Sequence, residues 1–75
     1  NISFYFCQMN TSPLHLIRIL EAKGFLLKRV RGSHQIYFHP ESKKTVVIPI
    51  HGNKDIPTGT FLSIIKQAGI NKNEI

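Results

Sequence analysis

Between residues 12 and 24 the apolar positions return at helical spacing. Leu14, Ile17 and Leu20, with Leu16 beside them, form one stripe, and His15, Arg18 and Glu21 fall largely outside it. Thr11-Ser12-Pro13 supplies the start. The Ser12 hydroxyl can cap, and Pro13 suits the first helical position, where its missing N–H costs nothing. Gly24 supplies the stop, so the pattern predicts a helix over residues 13–23. The period then changes. FLLKRVR, residues 25–31, is apolar and β-branched enough for a strand, although its alternation is imperfect. Gly32 is the turn, and residues 33–39 split into two faces: His34, Ile36 and Phe38 on one, Ser33, Gln35, Tyr37 and His39 on the other. Pro40-Glu41-Ser42-Lys43 has loop chemistry. A third strand follows over residues 45–50, where Pro49 fits an edge or a strand end because it cannot donate to a ladder. Beyond the loop HGNKDIPTG, the spacing of Phe61, Ile64, Ile65 and Ala68 predicts a second helix over residues 58–68. It stops at Gly69, with INKNEI as a frayed tail.

Three strands joined by short links imply an antiparallel meander, and two amphipathic helices can cover one of its faces. The predicted fold class is therefore two-layer α+β in the order helix, strand, strand, strand, helix. Residues 9–75 read as a single domain without repeats or linkers. Residues 1–8 carry no charge and precede Met9, and they read as a leader or extension outside the functional argument.

Composition narrows the function classes. A 75-residue chain with 41% hydrophobic residues supports one small core. Ten Lys and Arg against four acidic residues give a formal charge of +6, and the pI is about 9.9. A polyanion is the partner class this favours, nucleic acid first. Cys7 is the only cysteine, which excludes intrachain disulfides and zinc sites built from several thiolates and suits a reducing cytoplasm. No apolar run approaches the roughly 20 residues needed to span a bilayer, and NISFYFCQ lacks the basic start of a signal peptide.

The inventory of reactive groups then removes most chemistries. His15, His34, His39 and His51 show no helical metal spacing and no acidic cluster accompanies them, so no metal or other cofactor is expected. Ser33 and His34 would point to opposite faces of a strand, which argues against a Ser-His hydrolase, and Ser33 suits the turn instead. HGNKDIPTGT has neither the Walker spacing nor a following Gly-Lys-Ser. A basic surface with a histidine remains, and that suffices for metal-free RNA cleavage. The 2′-hydroxyl attacks its own phosphate while histidine does part of the proton work and cations stabilise charge at phosphorus.

His15 reads as solvated on its helix, and His39, before Pro40, as exposed at a strand end. His51 opens the loop after the third strand and could serve as a second proton donor. His34 faces the helices under strict alternation, whereas its place beside Gly32 could leave it at the sheet's rim. Lys28, Arg29 and Arg31 flank the turn, and Lys54 lies in the later loop; together they could form a phosphate-binding edge. Of Tyr37 and Phe38, which differ in parity, at most one is available to stack on a base.

Four stretches carry a resemblance: GF at residues 24 and 25, RGSHQIYFHP at 31–40, VVIPIHGNKDIPTGT at 46–60 and SIIKQAGI at 63–70. In combination they resemble the HicA family of bacterial toxins, from about Thr11 to Ile70. The resemblance implies a fold similar to the double-stranded RNA-binding domain and ribosome-independent cleavage of messenger RNA that arrests growth. It also implies a single catalytic histidine in the glycine, serine, histidine motif, here His34, and inhibition by a cognate HicB antitoxin. Many members carry a second histidine or another polar residue directly after the catalytic one; this chain has Gln35, a candidate for orienting substrate. Gly32 and Ser33 are then expected to shape the turn, with Arg29, Arg31, Lys28 and Lys54 contacting phosphate. Two competing readings are a non-catalytic RNA-binding module of similar fold and a basic domain that docks an acidic protein.

Overall fold

The computed structural model describes residues 10–52, 54–71 and 73. The proposed leader, residues 1–8, and Met9 lie outside the described residues, as does half of the expected frayed tail. The order is α1 (Pro13–Ala22), β1 (Leu26–Arg31), β2 (His34–Phe38), β3 (Thr45–Pro49) and α2 (Thr58–Gln67). The strands form one antiparallel sheet in the order β1-β2-β3. The expected α+β class is the observed one.

Local chemistry explains the element ends. The Ser12 hydroxyl accepts from the His15 N–H at 3.2 Å, with Pro13 in the first turn. Gly24 leaves α1 with φ +96, and a Cβ there would stand 2.9 Å from His39 Nε2. Both conformation and space therefore require glycine. At the β1–β2 turn Gly32 has φ +58 while Ser33 does not have positive φ, the sign pattern of a two-residue II′ hairpin turn. A longer loop joins β2 to β3, closed by the His39 N–H donating to Lys44 O at 2.9 Å.

One core holds the layers together: Leu16 and Leu20 from α1, Phe25, Tyr37 from β2, Val46 and Ile48 from β3, and Phe61, Ile64 and Ile65 from α2. Four of its members, Phe25, Ile56, Ala68 and Ile70, lie outside the regular elements. Ile56 is seated from the loop before α2, its N–H donating to Thr11 O at 2.9 Å. Ile70 is buried as well, held by its N–H on Ile65 O at 3.1 Å, so the tail begins one residue later than its polar composition indicates. On α1 the buried positions are Leu16 and Leu20, while Leu14 of the expected stripe is 56% exposed.

Strict alternation would turn His34, Ile36 and Phe38 toward the helices, and here the structure corrects the sequence reading. Tyr37 is the buried residue of β2, opposite Val46, and Gln35 lies opposite the buried Ile48. Directly opposed residues share a face, so odd-numbered β2 positions join the helices and His34, Ile36 and Phe38 face away. The register with β3 decides this, since only one parity of β3 is buried. Burying Tyr37 leaves no hydroxyl stranded, because it donates to Gln35 Oε1 at 3.2 Å.

The imperfect alternation of β1 is a bulge. Leu26 pairs with Phe38 and Leu27 with Tyr37, but Arg29, not Lys28, pairs with Ile36, followed by Val30 with Gln35 and Arg31 with His34. The extra residue, Lys28, shifts the strand by one position. Arg29 and Arg31, paired on the turn side of the bulge, share the face of Ile36 and His34, and the shift puts Leu27 on the side of Tyr37. All of β1 is exposed, so the strand projects beyond the helix layer.

Candidate functional site: the open face of the sheet

His34 is the first residue of β2, directly after the Gly32-Ser33 turn and opposite Arg31. Its other neighbour is Pro49, the last residue of β3. The Ile50 N–H donates to Ser33 O at 2.7 Å, which makes the adjacent His34–Pro49 pair the non-hydrogen-bonded kind, with side chains close together. In such a pair the main-chain N points away from the partner strand, so Pro49 forfeits no bond to β2. The His34 ring is thus set against a proline at the sheet's end and remains exposed.

Around it the bulged hairpin gathers charge. Arg29 and Arg31 share its face by register, and Lys28 Nζ stands 5.2 Å from the centre of the Phe38 ring, a cation–π contact on that same side. Phe38 is half-buried and Tyr37 is buried, so of the two aromatic candidates Phe38 is the accessible one. Gln35 points to the covered face and accepts the Tyr37 hydroxyl; it is not positioned to orient a substrate at His34. Gly32 contributes its positive φ to the hairpin that carries the histidine, and the Ser33 carbonyl ties that turn to Ile50 after β3.

A groove of about 480 Å³ opens beside His34. Val47 and Pro49 share its sheet side with His34, and the helix side is made by Thr60, Ser63 and Gln67 of α2. Sequence reasoning missed these helix residues. They recur at positions 60, 63 and 67, one stripe of α2 beside the buried Phe61, Ile64 and Ile65. That spacing was available in the sequence, but the juxtaposition with His34 depends on α2 packing along β3.

The remaining candidates separate. His51 and Lys54 are exposed in the loop after β3, linked by the Lys54 N–H on His51 O at 3.1 Å. Among the described residues neither lines the groove. His15 is half-buried rather than solvated, stacked on Phe61 with centroids 6.0 Å apart. His39 is a structural pin rather than a free side chain. Its Nδ1 accepts from the N–H groups of Glu41 and Ser42, both at 3.2 Å, which leaves Nε2 to donate to Lys23 O at 2.9 Å. The ring also meets Phe25 edge-on at 5.0 Å. Burial raises the pKa of Tyr37 above 10.0, and Glu21 adds to the effect. Among the described residues no cluster of three His, Cys, Asp or Glu could hold a metal.

The sequence model described as HicA toxin of bacterial toxin-antitoxin matches residues 15–70 of the 75-residue chain. The chain belongs to the HicA toxin family. Its role is that of a toxin in a toxin–antitoxin pair, with an antitoxin as partner. The match runs from α1 through Ile70 and so includes the whole sheet and the groove. No curated protein matches the chain. Among the described residues no helix is long and apolar enough to cross a membrane.

Proposed function

We propose that this HicA-family toxin is a ribosome-independent endoribonuclease that cleaves messenger RNA in the cytoplasm and arrests growth, with His34 as general acid or base. The observation that carries the reading is one exposed histidine on the uncovered sheet face, flanked in register by Arg31 and, two positions further, Arg29. RNA supplies the nucleophile. The 2′-oxygen bonds to phosphorus, the bond from phosphorus to the 5′-oxygen breaks, one proton leaves the 2′-hydroxyl and one reaches the departing oxygen. Imidazole can carry either proton near neutral pH, and the arginines face the charge that grows on the phosphoryl oxygens. These parts balance without a metal ion. His51 is the available second proton carrier, and Lys28 on β1 and Lys54 in the loop after β3 extend the phosphate contacts. The cognate antitoxin is a HicB-like protein.

The test is cleavage of single-stranded RNA by the purified protein in EDTA. Wild type cuts, and His34→Ala lowers the rate by about 10²–10⁴-fold, the usual worth of positioned acid–base catalysis. RNA retained intact by wild type, with salt-sensitive affinity, would instead identify a non-catalytic binding module.

A further inference from the structure

Gly59 occupies the first turn of α2 without any need for glycine in the fold. It does not have positive φ, and a Cβ built on it would meet nothing within 4 Å. Alanine is the better helix former, so helix stability alone argues against glycine here. What Gly59 does adjoin is the groove beside His34, and the missing side chain leaves that groove wider.

The rest of the lining indicates an occupant. Val47, Pro49 and Ile64 supply apolar surface, while Thr60, Ser63 and Gln67 supply hydroxyl and amide groups, with the Gln67 amide donating to the Ser63 hydroxyl at 3.4 Å. Among the described residues His34 is the only titratable group in the lining, so the groove is poorly equipped to hold a phosphate. An apolar wall edged by neutral donors and acceptors fits a nucleobase and its ribose. The phosphate-binding charges, Arg29 and Arg31, stand on the β1 side of His34, whereas the groove lies on its β3 side.

Resting on the nuclease reading above, we propose that the groove between β3 and α2 is the base-binding subsite for a nucleotide flanking the scissile phosphate of single-stranded RNA. Val47 and Pro49 pack against the base, Thr60, Ser63 and Gln67 read its edge and ribose, and Gly59 provides room. Gln67 and Ser63 are specificity-determining residues, and Gly59 is a space-providing one.

The experiment compares wild type with Gly59→Ala, Gly59→Val and Gln67→Ala on a pool of short single-stranded RNAs of randomised sequence. Cleavage sites are read by sequencing and melting temperatures are measured in parallel. Gly59→Ala is expected to melt no lower than wild type and yet to lose about 10-fold or more in kcat/KM, with Gly59→Val lower still. Gln67→Ala is expected to keep cutting with an altered base preference next to the cleaved bond. In NMR titration with a cleavage-resistant 2′-deoxy oligonucleotide, resonances of Thr60, Ser63 and Gln67 shift. Unchanged site preference and unchanged rates in these folded variants overturn the subsite while leaving the nuclease standing. Absence of cleavage by wild type overturns both.

Discussion

The open side of β2 carries more apolar residues than the covered side, Ile36 and Phe38 against Tyr37, and the two do different work. On the covered side, Tyr37 is buried against α1 and α2, paired with Val46, and its hydroxyl is satisfied by Gln35. On the open side, Ile36 and Phe38 remain half-buried and His34 is exposed. Hydrophobicity alone does not separate these sides. What separates them is register: β3 buries only Val46 and Ile48, and their partners on β2 follow. The pairs next to the turn, Arg31 with His34 and Arg29 with Ile36, put both arginines on the open side, and the bulge at Lys28 sets what lies beyond them. An uninterrupted β1 would place Leu27 on the arginines' face. One additional residue in an edge strand therefore keeps Leu27 off the face that carries the two arginines.

Substitutions on opposite sides should fail in different ways. The largest effect on folding is expected from the core: Phe61→Ala, at a fully buried site, should cost about 3–5 kcal/mol in chemical denaturation, a large share of what a small domain has. On the open side Phe38→Ala should cost about 1 kcal/mol and act mainly on RNA affinity. A Phe38→Ala variant as unstable as Phe61→Ala would erase the distinction between the faces.

Gly24→Ala tests the junction of the two layers. With φ +96 and His39 Nε2 2.9 Å from the new Cβ, it should destabilise by about 1–3 kcal/mol in thermal or urea unfolding, with no selective effect on RNA. Smaller and sharper is Tyr37→Phe. It removes the bond to Gln35, worth about 1 kcal/mol near neutral pH. Because the folded-state pKa of Tyr37 is raised above its ordinary 10.0, the folded chain holds its proton where the unfolded chain releases it. Tyr37 thus contributes stability that is intact below pH 10 and lost as pH rises through the folded value. Tyr37→Phe should flatten that alkaline decline in denaturation curves measured from pH 9 to 11.

On the open side the smallest expected changes concern salt. Arg29→Ala and Arg31→Ala should each lower the slope of log affinity against log salt for single-stranded RNA by about 0.7, one phosphate contact apiece. Slopes equal to wild type would remove these residues from the RNA path.

Much of this arrangement was legible in the residues. Ser12-Pro13 and Gly24 bound α1, and Pro49 ends β3 as proline chemistry requires. The motif around His34 indicated the family that the match over residues 15–70 then showed. Three features were not legible. Which parity of β2 is buried depends on pairing with β3, whose VVIPI run is apolar at nearly every position. His39 looks like a loop histidine until its ring is seen bridging Lys23 to Glu41 and Ser42. The polar stripe of α2 comes beside His34 only when α2 lies along β3, which brings Thr60, Ser63 and Gln67 to the groove. Each of these is set by contacts between distant segments, which local pattern does not encode.

The central claim is that the open face of the sheet performs the reaction and the covered face only supports it. Adjacent residues 34 and 35 test it most directly, since one step along β2 moves the side chain from one face to the other. Single-turnover cleavage of a single-stranded RNA in EDTA should fall by about 10²–10⁴-fold in His34→Ala. In Gln35→Ala it should stay within about threefold of wild type, since only a covered-face hydrogen bond worth about 1 kcal/mol is lost. Equal losses in both variants, or full activity in His34→Ala, would contradict the account.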